Sequence, residues 1–138
     1  MRLSKDKYYL GIARAVAKRS TCLRRQYGAV IVNHDEIVAT GYNGAARGVS
    51  DCLARGSCWR EENDVPHGEQ YEKCLSVHAE QNAIISAART EMIGGTLYLA
   101  GFENGAEILD PKPCVICERM IQNAGIEGVV NNRGRFYV

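Results

Sequence analysis

Hydrophobic and polar positions along the chain alternate between two periods, near 3.6 and near 2. Ser4 can cap a first helix whose apolar positions Tyr9, Ile12, Ala13 and Val16 follow helical spacing. "YGAVIVN" (27–33) and "EIVATGY" (36–42) are β-branched runs joined by the polar pair "HD", and they predict a hairpin. Residues 44–74 carry no clear period, and hold three cysteines, a Trp and a Pro. A helix is predicted from about Ala79, then a strand in "GTLYLAG" and a Pro- and Gly-containing loop. "CVICERMIQNAG" follows as a helix ended by Gly125, then "EGVVN" as a strand, with "NRG" and "RFYV" folding back as a last hairpin. This order predicts a central mixed sheet of about five strands covered by helices, a three-layer α/β/α domain over residues 1–138.

One helix has an odd face. At 100° per residue, Ala83, Ile84, Ala87 and Ala88 form an apolar stripe, with Asn82, Ser86 and Arg89 opposite. Glu80 falls in the middle of that stripe, two residues after His78. An unpaired carboxylate inside a core costs several kcal/mol in order of magnitude, so Glu80 needs a partner or a task.

Composition changes this picture little. The chain is 46% hydrophobic and 24% charged with a formal net charge of +1, an ordinary globular balance that gives no general attraction to nucleic acid or membrane. Positive charge is nevertheless clustered in Lys18, Arg19, Arg24, Arg25 and Arg47. No stretch approaches the roughly 20 apolar residues of a membrane span, and "MRLSKDKYYLGIARAV" does not read as a secretory signal. The expected location is therefore cytoplasmic, where the six cysteines are better suited to metal or catalysis than to disulfides.

The chemistry concentrates in His78-Ala79-Glu80 and Pro113-Cys114-Val115-Ile116-Cys117. A hydrolytic zinc site needs three protein ligands and an open position for water. Cys114 and Cys117, three apart, share a face in a first helical turn, where the helix N-terminus favours thiolates. His78 would be the third ligand, from the neighbouring helix. Two thiolates neutralise the ion's formal charge and weaken its power to acidify bound water, so a base beside it is useful. Glu80 stands where that base is needed. H-x-E with P-C-x-x-C is the signature of zinc deaminases that attack C4 of cytosine or C6 of adenine. A second H-x-E, His67 to Glu69, is followed by the polar "QYEK" and not by an apolar stripe, so it is rejected as the catalytic pair.

From "CLRRQYGAVIV" through "ATGYNGAARG" and "SVHAEQNAI" to "PCVICERMIQNAGI", the sequence resembles the cytidine and deoxycytidylate deaminase superfamily. Within it, the closest likeness is to the deoxycytidylate (dCMP) deaminases. The resemblance implies that His78, Cys114 and Cys117 hold a catalytic Zn2+ and that Glu80 shuttles protons. It implies hydrolysis of dCMP to dUMP and ammonia, with zinc-activated water attacking C4 and no organic cofactor. Substrate contacts are implied for Asn43 (the sugar), Arg24 (the phosphate) and Ala79, together with a homo-oligomer, from dimer to hexamer. Two stretches depart from the pattern. "AGFENGAEILDPK" (100–112) is longer than the expected connection and is expected to border the pocket, and "GAARG" replaces the usual continuation after Asn-Gly.

Cys22, Cys52, Cys58 and Cys74 remain. A long aperiodic loop in a compact domain needs something to hold it, and four cysteines suffice for a closed, structural zinc. The resemblance implies ligands at Cys22 and Cys52. Cys74 is the third candidate, and the fourth is either Cys58 or His67. His34, in the hairpin turn, reads as solvent-facing. Other readings are a deaminase of another nucleoside or base (cytidine, guanine or a tRNA adenosine), or a non-enzymatic zinc-binding interaction module. A nucleic-acid substrate would call for a broader basic surface than net charge +1 provides.

Overall fold

The computed structural model describes residues 2–66 and 74–137. Helix α1 (Lys5–Ala17) leads into a hairpin of β1 (Arg25–Asn33) and β2 (Glu36–Tyr42). The turn between them places His34 and Asp35 at φ 51° and 58°, and His34 is exposed as expected. A short β3 (Gly44–Ala45) and two four-residue helices, α2 (Cys52–Arg55) and α3 (Trp59–Glu62), occupy the aperiodic stretch. Then come β4 (Ser76–Val77), α4 (Ala79–Ile85), α5 (Arg89–Met92), β5 (Thr96–Glu103), β6 (Ala106–Glu107), α6 (Val115–Asn123), β7 (Gly128–Asn131) and β8 (Gly134–Tyr137). The main sheet runs in the order β2-β1-β5-β7-β8, with β6 added to β5. Only the β5–β7 pair is parallel among the described strands, which makes the sheet mixed as predicted.

Alternation along β1 sorts the core into two layers. Ala29 and Ile31 pack with Ala79, Ala83 and Ile121 from α4 and α6. Val30 and Val32 point the other way, onto Tyr9, Leu10 and Ala13 of α1. Helices therefore cover both faces, giving the α/β/α sandwich. Two glycines allow the helices to lie directly on strand backbone. A Cβ on Gly28 would collide with the Ala13 carbonyl and the Ala17 nitrogen, and one on Gly41 with the Ala79 carbonyl and the Ala83 nitrogen.

The apolar stripe predicted for one continuous helix is cut in two. α4 stops at Ile85, capped by Ser86, and Arg89 opens α5. Ala83 is buried, but Ala87 is only half-buried and Ala88 exposed. Asn82, placed on the wet side by angle alone, donates from Nδ2 to the Tyr42 carbonyl at 2.8 Å and so helps fasten α4 to β2. Gly125, at φ 83°, ends α6 as expected.

Candidate active site and metal centre

His78 is the N-cap of α4 and Cys114 the N-cap of α6, so two helix starts meet where α4 and α6 pack together in one core layer. The His78 backbone N–H donates to Gln81 Oε1 at 2.9 Å, which fixes the turn that carries the imidazole. Cys117 lies one turn into α6 and is fully buried; its backbone N–H approaches Cys114 Sγ at 3.5 Å. His78 Nδ1 is 3.3 Å from Cys117 Sγ and 3.6 Å from Cys114 Sγ. The three ligand atoms all lie within 4.8 Å of one another, and among the described residues no other group of three or more such side chains converges like this. One imidazole and two thiols at these separations suit Zn2+, with a fourth position left for water.

Proton holding within the trio supports the same reading. Cys114 is held down to about 3, chiefly by the hydrogen bond from Cys117, with His78 adding to it. Cys117 is pushed far up by that same bond, because one thiol keeps its proton for the other. A divalent cation between them removes the conflict, since both sulfurs can then be thiolates. His78 is raised, first by its hydrogen bond to Cys114.

Glu80 is only 6% exposed, in the first turn of α4 as its angle predicted. Burial pushes its carboxyl up, opposed by its own backbone N–H and by His78. A carboxyl raised in this way keeps a proton more readily than an ordinary one, which suits it to act as both acid and base.

These groups open on a cavity of about 320 Å³. Its wall includes His78, Ala79, Glu80 and Cys114, with Asn43, Arg24 and Tyr27 nearby. Asn43 is buried, its Oδ1 accepting from the Tyr27 N–H at 2.8 Å and its Nδ2 donating to the Arg25 carbonyl at 2.9 Å. It therefore joins β1 to the segment after β2 while standing on the pocket wall. Two cationic wall residues were not singled out from sequence. Arg60, on α3, is 7% exposed and gives a hydrogen bond to the Pro66 carbonyl at 2.8 Å. Lys112 sits just before Pro113. Arg60 lies in a stretch without periodicity, so no pattern could assign its direction.

Cys22, Cys52, Cys58 and Cys74 line the same cavity, and all six cysteines are free thiols. Cys52 is raised by burial first, and then by the proximity of Cys22, Cys58 and Cys74. The four are thus gathered, yet no three of them converge as the His78 trio does. His67, the other candidate ligand, and the rejected His67–Glu69 pair lie outside the described residues.

The long connection at 100–112 departs from expectation. Within it only Lys112 lines the cavity, and the rest turns away as a β5–β6 hairpin.

The model of the cytidine and deoxycytidylate deaminase zinc-binding region matches residues 3–132. The chain belongs to that family. It is 39% identical over 130 residues to a deoxycytidylate deaminase of Mycobacterium phage D29, covering 91% of each chain. It is 37% identical over 129 residues to that of Schizosaccharomyces pombe, covering 94% of this chain and 37% of the yeast protein. Among solved structures, it is similar to the dCMP deaminase of cyanophage S-TIM5 in complex with dCMP and dUMP. That similarity has a TM-score of 0.66 at 25% identity, covering 95% of this chain and 82% of the phage chain. The cytidine deaminase of Mycobacterium leprae, 16% identical with a TM-score of 0.52, shares the fold. No helix among the described residues is long and apolar enough to cross a membrane.

Proposed function

We propose that this chain is a zinc-dependent hydrolase that converts dCMP and water to dUMP and ammonia. The observation that carries the reading is the convergence of His78, Cys114 and Cys117 beside a buried Glu80, in a cavity whose wall also bears Arg24, Arg25, Arg60 and Lys112. Among the described residues four cations and one carboxylate line the wall; Arg25 also pairs with Glu103 at 3.2 Å and Lys112 with Asp110 at 3.6 Å. The surplus of positive charge suits a substrate that brings negative charge of its own, a nucleotide more than a nucleoside.

Zinc held by the three ligands would supply Lewis acidity toward the attacking water. Glu80 takes that water's proton and delivers it to N3 of the base, so that C4 becomes electrophilic as it is attacked. The same carboxyl then carries a proton to the departing amino group, and ammonia leaves as the carbonyl forms. Burial suits Glu80 to both duties, since a carboxyl that prefers its proton gives and takes it with little driving force lost. Asn43 has given one amide N–H to Arg25, and its second can meet a sugar hydroxyl. Arg24 is assigned to the phosphate.

The reading extends to a second, structural zinc on Cys22, Cys52 and Cys74, with Cys58 or His67 as fourth ligand. It is supported by the gathering of the four thiols around one cavity. Self-association of the chain belongs to the same proposal.

The test is ammonia release by zinc-replete protein from dCMP, beside deoxycytidine, CMP and adenosine. The expected result is a kcat/KM for dCMP at least about 100-fold above that for deoxycytidine, on the order of two charge-assisted hydrogen bonds to phosphate. Equal use of nucleotide and nucleoside would remove the phosphate reading. Release from none of the four would overturn the proposed substrate class.

A further inference from the structure

The connection between β5 and α6 ends in Asp110-Pro111-Lys112-Pro113, immediately before the ligand Cys114. Two prolines in this segment have no N–H, so its backbone has few donors with which to fix itself. Its position has to come from outside. The outer part of the connection is tied by exposed groups: Arg14 Nε meets Glu107 Oε1 at 2.6 Å, and Asn132 Nδ2 donates to Glu107 at 3.0 Å and to the Ile108 carbonyl at 3.3 Å.

The inner part is held differently. Asn131, the last residue of β7, is 2% exposed. Its Nδ2 donates to Asp110 Oδ1 and to the Pro111 carbonyl, both at 2.8 Å, and its Oδ1 accepts from the Arg133 N–H at 2.8 Å. A buried carboxamide so engaged has its orientation set on both sides, and it belongs to a strand paired on both edges, with β5 and with β8.

We infer that Asn131 is a positioning residue for the metal centre. By clamping Asp110 and Pro111, it fixes where the Cys114 thiol stands relative to His78 and Cys117. The inference rests on the proposal that these three side chains hold zinc, and it does not depend on which nucleotide is the substrate. Residues that orient metal ligands typically change metal affinity about 10- to 100-fold when removed.

The experiment is zinc release from the loaded full-length chain into excess chromogenic chelator, followed in the phase that is missing from Cys117→Ser protein. Asn131→Ala is expected to accelerate that phase about 10- to 100-fold. Asp110→Ala should accelerate it several-fold, while Asp110→Asn, which keeps an oxygen for Asn131 to donate to, should stay within about twofold of wild type. Both Asp110 variants lose the ion pair with Lys112, so the loss of that charge pair does not separate them. Asn132→Ala, which loosens only the outer tie, should leave the phase unchanged. Folded Asn131→Ala protein that releases zinc at the wild-type rate would overturn the inference. So would equal rates for the two Asp110 variants, a comparison that decides the matter even if Asn131→Ala does not fold. Wild type that holds zinc but releases no ammonia from dCMP would defeat the substrate reading alone.

Discussion

Two sets of sulfurs gather about one cavity, with Cys117 just behind its wall, and they differ in what carries them. Cys114 and Cys117 belong to the start of a nine-residue helix, and His78 to the start of a seven-residue one, both packed on the sheet. Cys52 and Cys58 sit at the starts of four-residue helices, while Cys22 and Cys74 lie between elements. The first set, with His78, brings its ligand atoms within 4.8 Å of one another, and the second is only gathered around the cavity. Packing on a sheet fixes ligand geometry in advance, whereas the short elements of the aperiodic stretch 44–74, an insert ahead of α4, leave the last step to whatever binds there.

The largest test of this contrast removes chemistry from the pre-formed side without touching its ligands. Glu80→Gln keeps size and hydrogen-bonding capacity but cannot move a proton. Turnover of dCMP should fall about 10³-fold or more, with zinc content unchanged by metal analysis. Retained turnover would remove Glu80 from its role. The variant has a second signature in metal-free protein. Burial raises the folded-state pKa of Glu80, so its contribution to stability is full below the unfolded carboxyl pKa and is lost as pH rises through the folded one. Glu80→Gln removes that loss, and thermal melts at pH 8 should show the metal-free variant more stable than wild type.

A smaller effect comes from the support under the site. A Cβ at Gly41 meets the backbone of α4, which carries His78 and Glu80, whereas one at Gly56, beside the insert cysteines, meets nothing. Gly41→Ala should lower turnover about 100-fold, the scale on which a shift of about 1 Å disturbs catalysis. Gly56→Ala is strained by its φ of 75° but should change turnover less than about threefold, as a backbone cost confined to a surface turn. Equal losses would mean that the insert is as tightly coupled to the chemistry as the sheet is.

This difference also explains what was legible in the chain. His78, Glu80, Cys114 and Cys117 could be read because helical period and helix-start residues place them on known faces. The five main strands could be read from β-branched runs and turn residues, but not their order in the sheet. Where period gives out, direction is lost: Arg60 turning into the cavity, the course of 100–112 away from it, and the clamp at Asn131 all depend on contacts distant in sequence. The break between α4 and α5 was missed for a related reason. Three alanines and an isoleucine prolong the apolar count and favour helix by propensity, a local preference that tertiary context overrides here.

The smallest effect separates the two sets of thiols by their proton affinities. In metal-free protein, Cys114 is held near 3 by its hydrogen bonds, so it is a thiolate throughout the usual pH range. Cys52 is raised above an ordinary thiol, first by burial, so its thiolate fraction is small and grows with pH. Absolute rates do not separate them well, because a thiolate of low pKa is also a poorer nucleophile, by about half a decade per unit. The pH dependence does. Iodoacetamide labelling followed by peptide mass spectrometry should give a Cys114 rate that changes less than about twofold between pH 6 and 8. The Cys52 rate should rise about tenfold per unit over the same range. Added zinc should then protect both. Protection of Cys114 and Cys117 alone, with Cys22, Cys52, Cys58 and Cys74 still reacting, would leave the catalytic centre standing and remove the second zinc. Such a result would also mean that the insert is held by its own packing, and that gathering four thiols around a cavity is not enough to bind an ion.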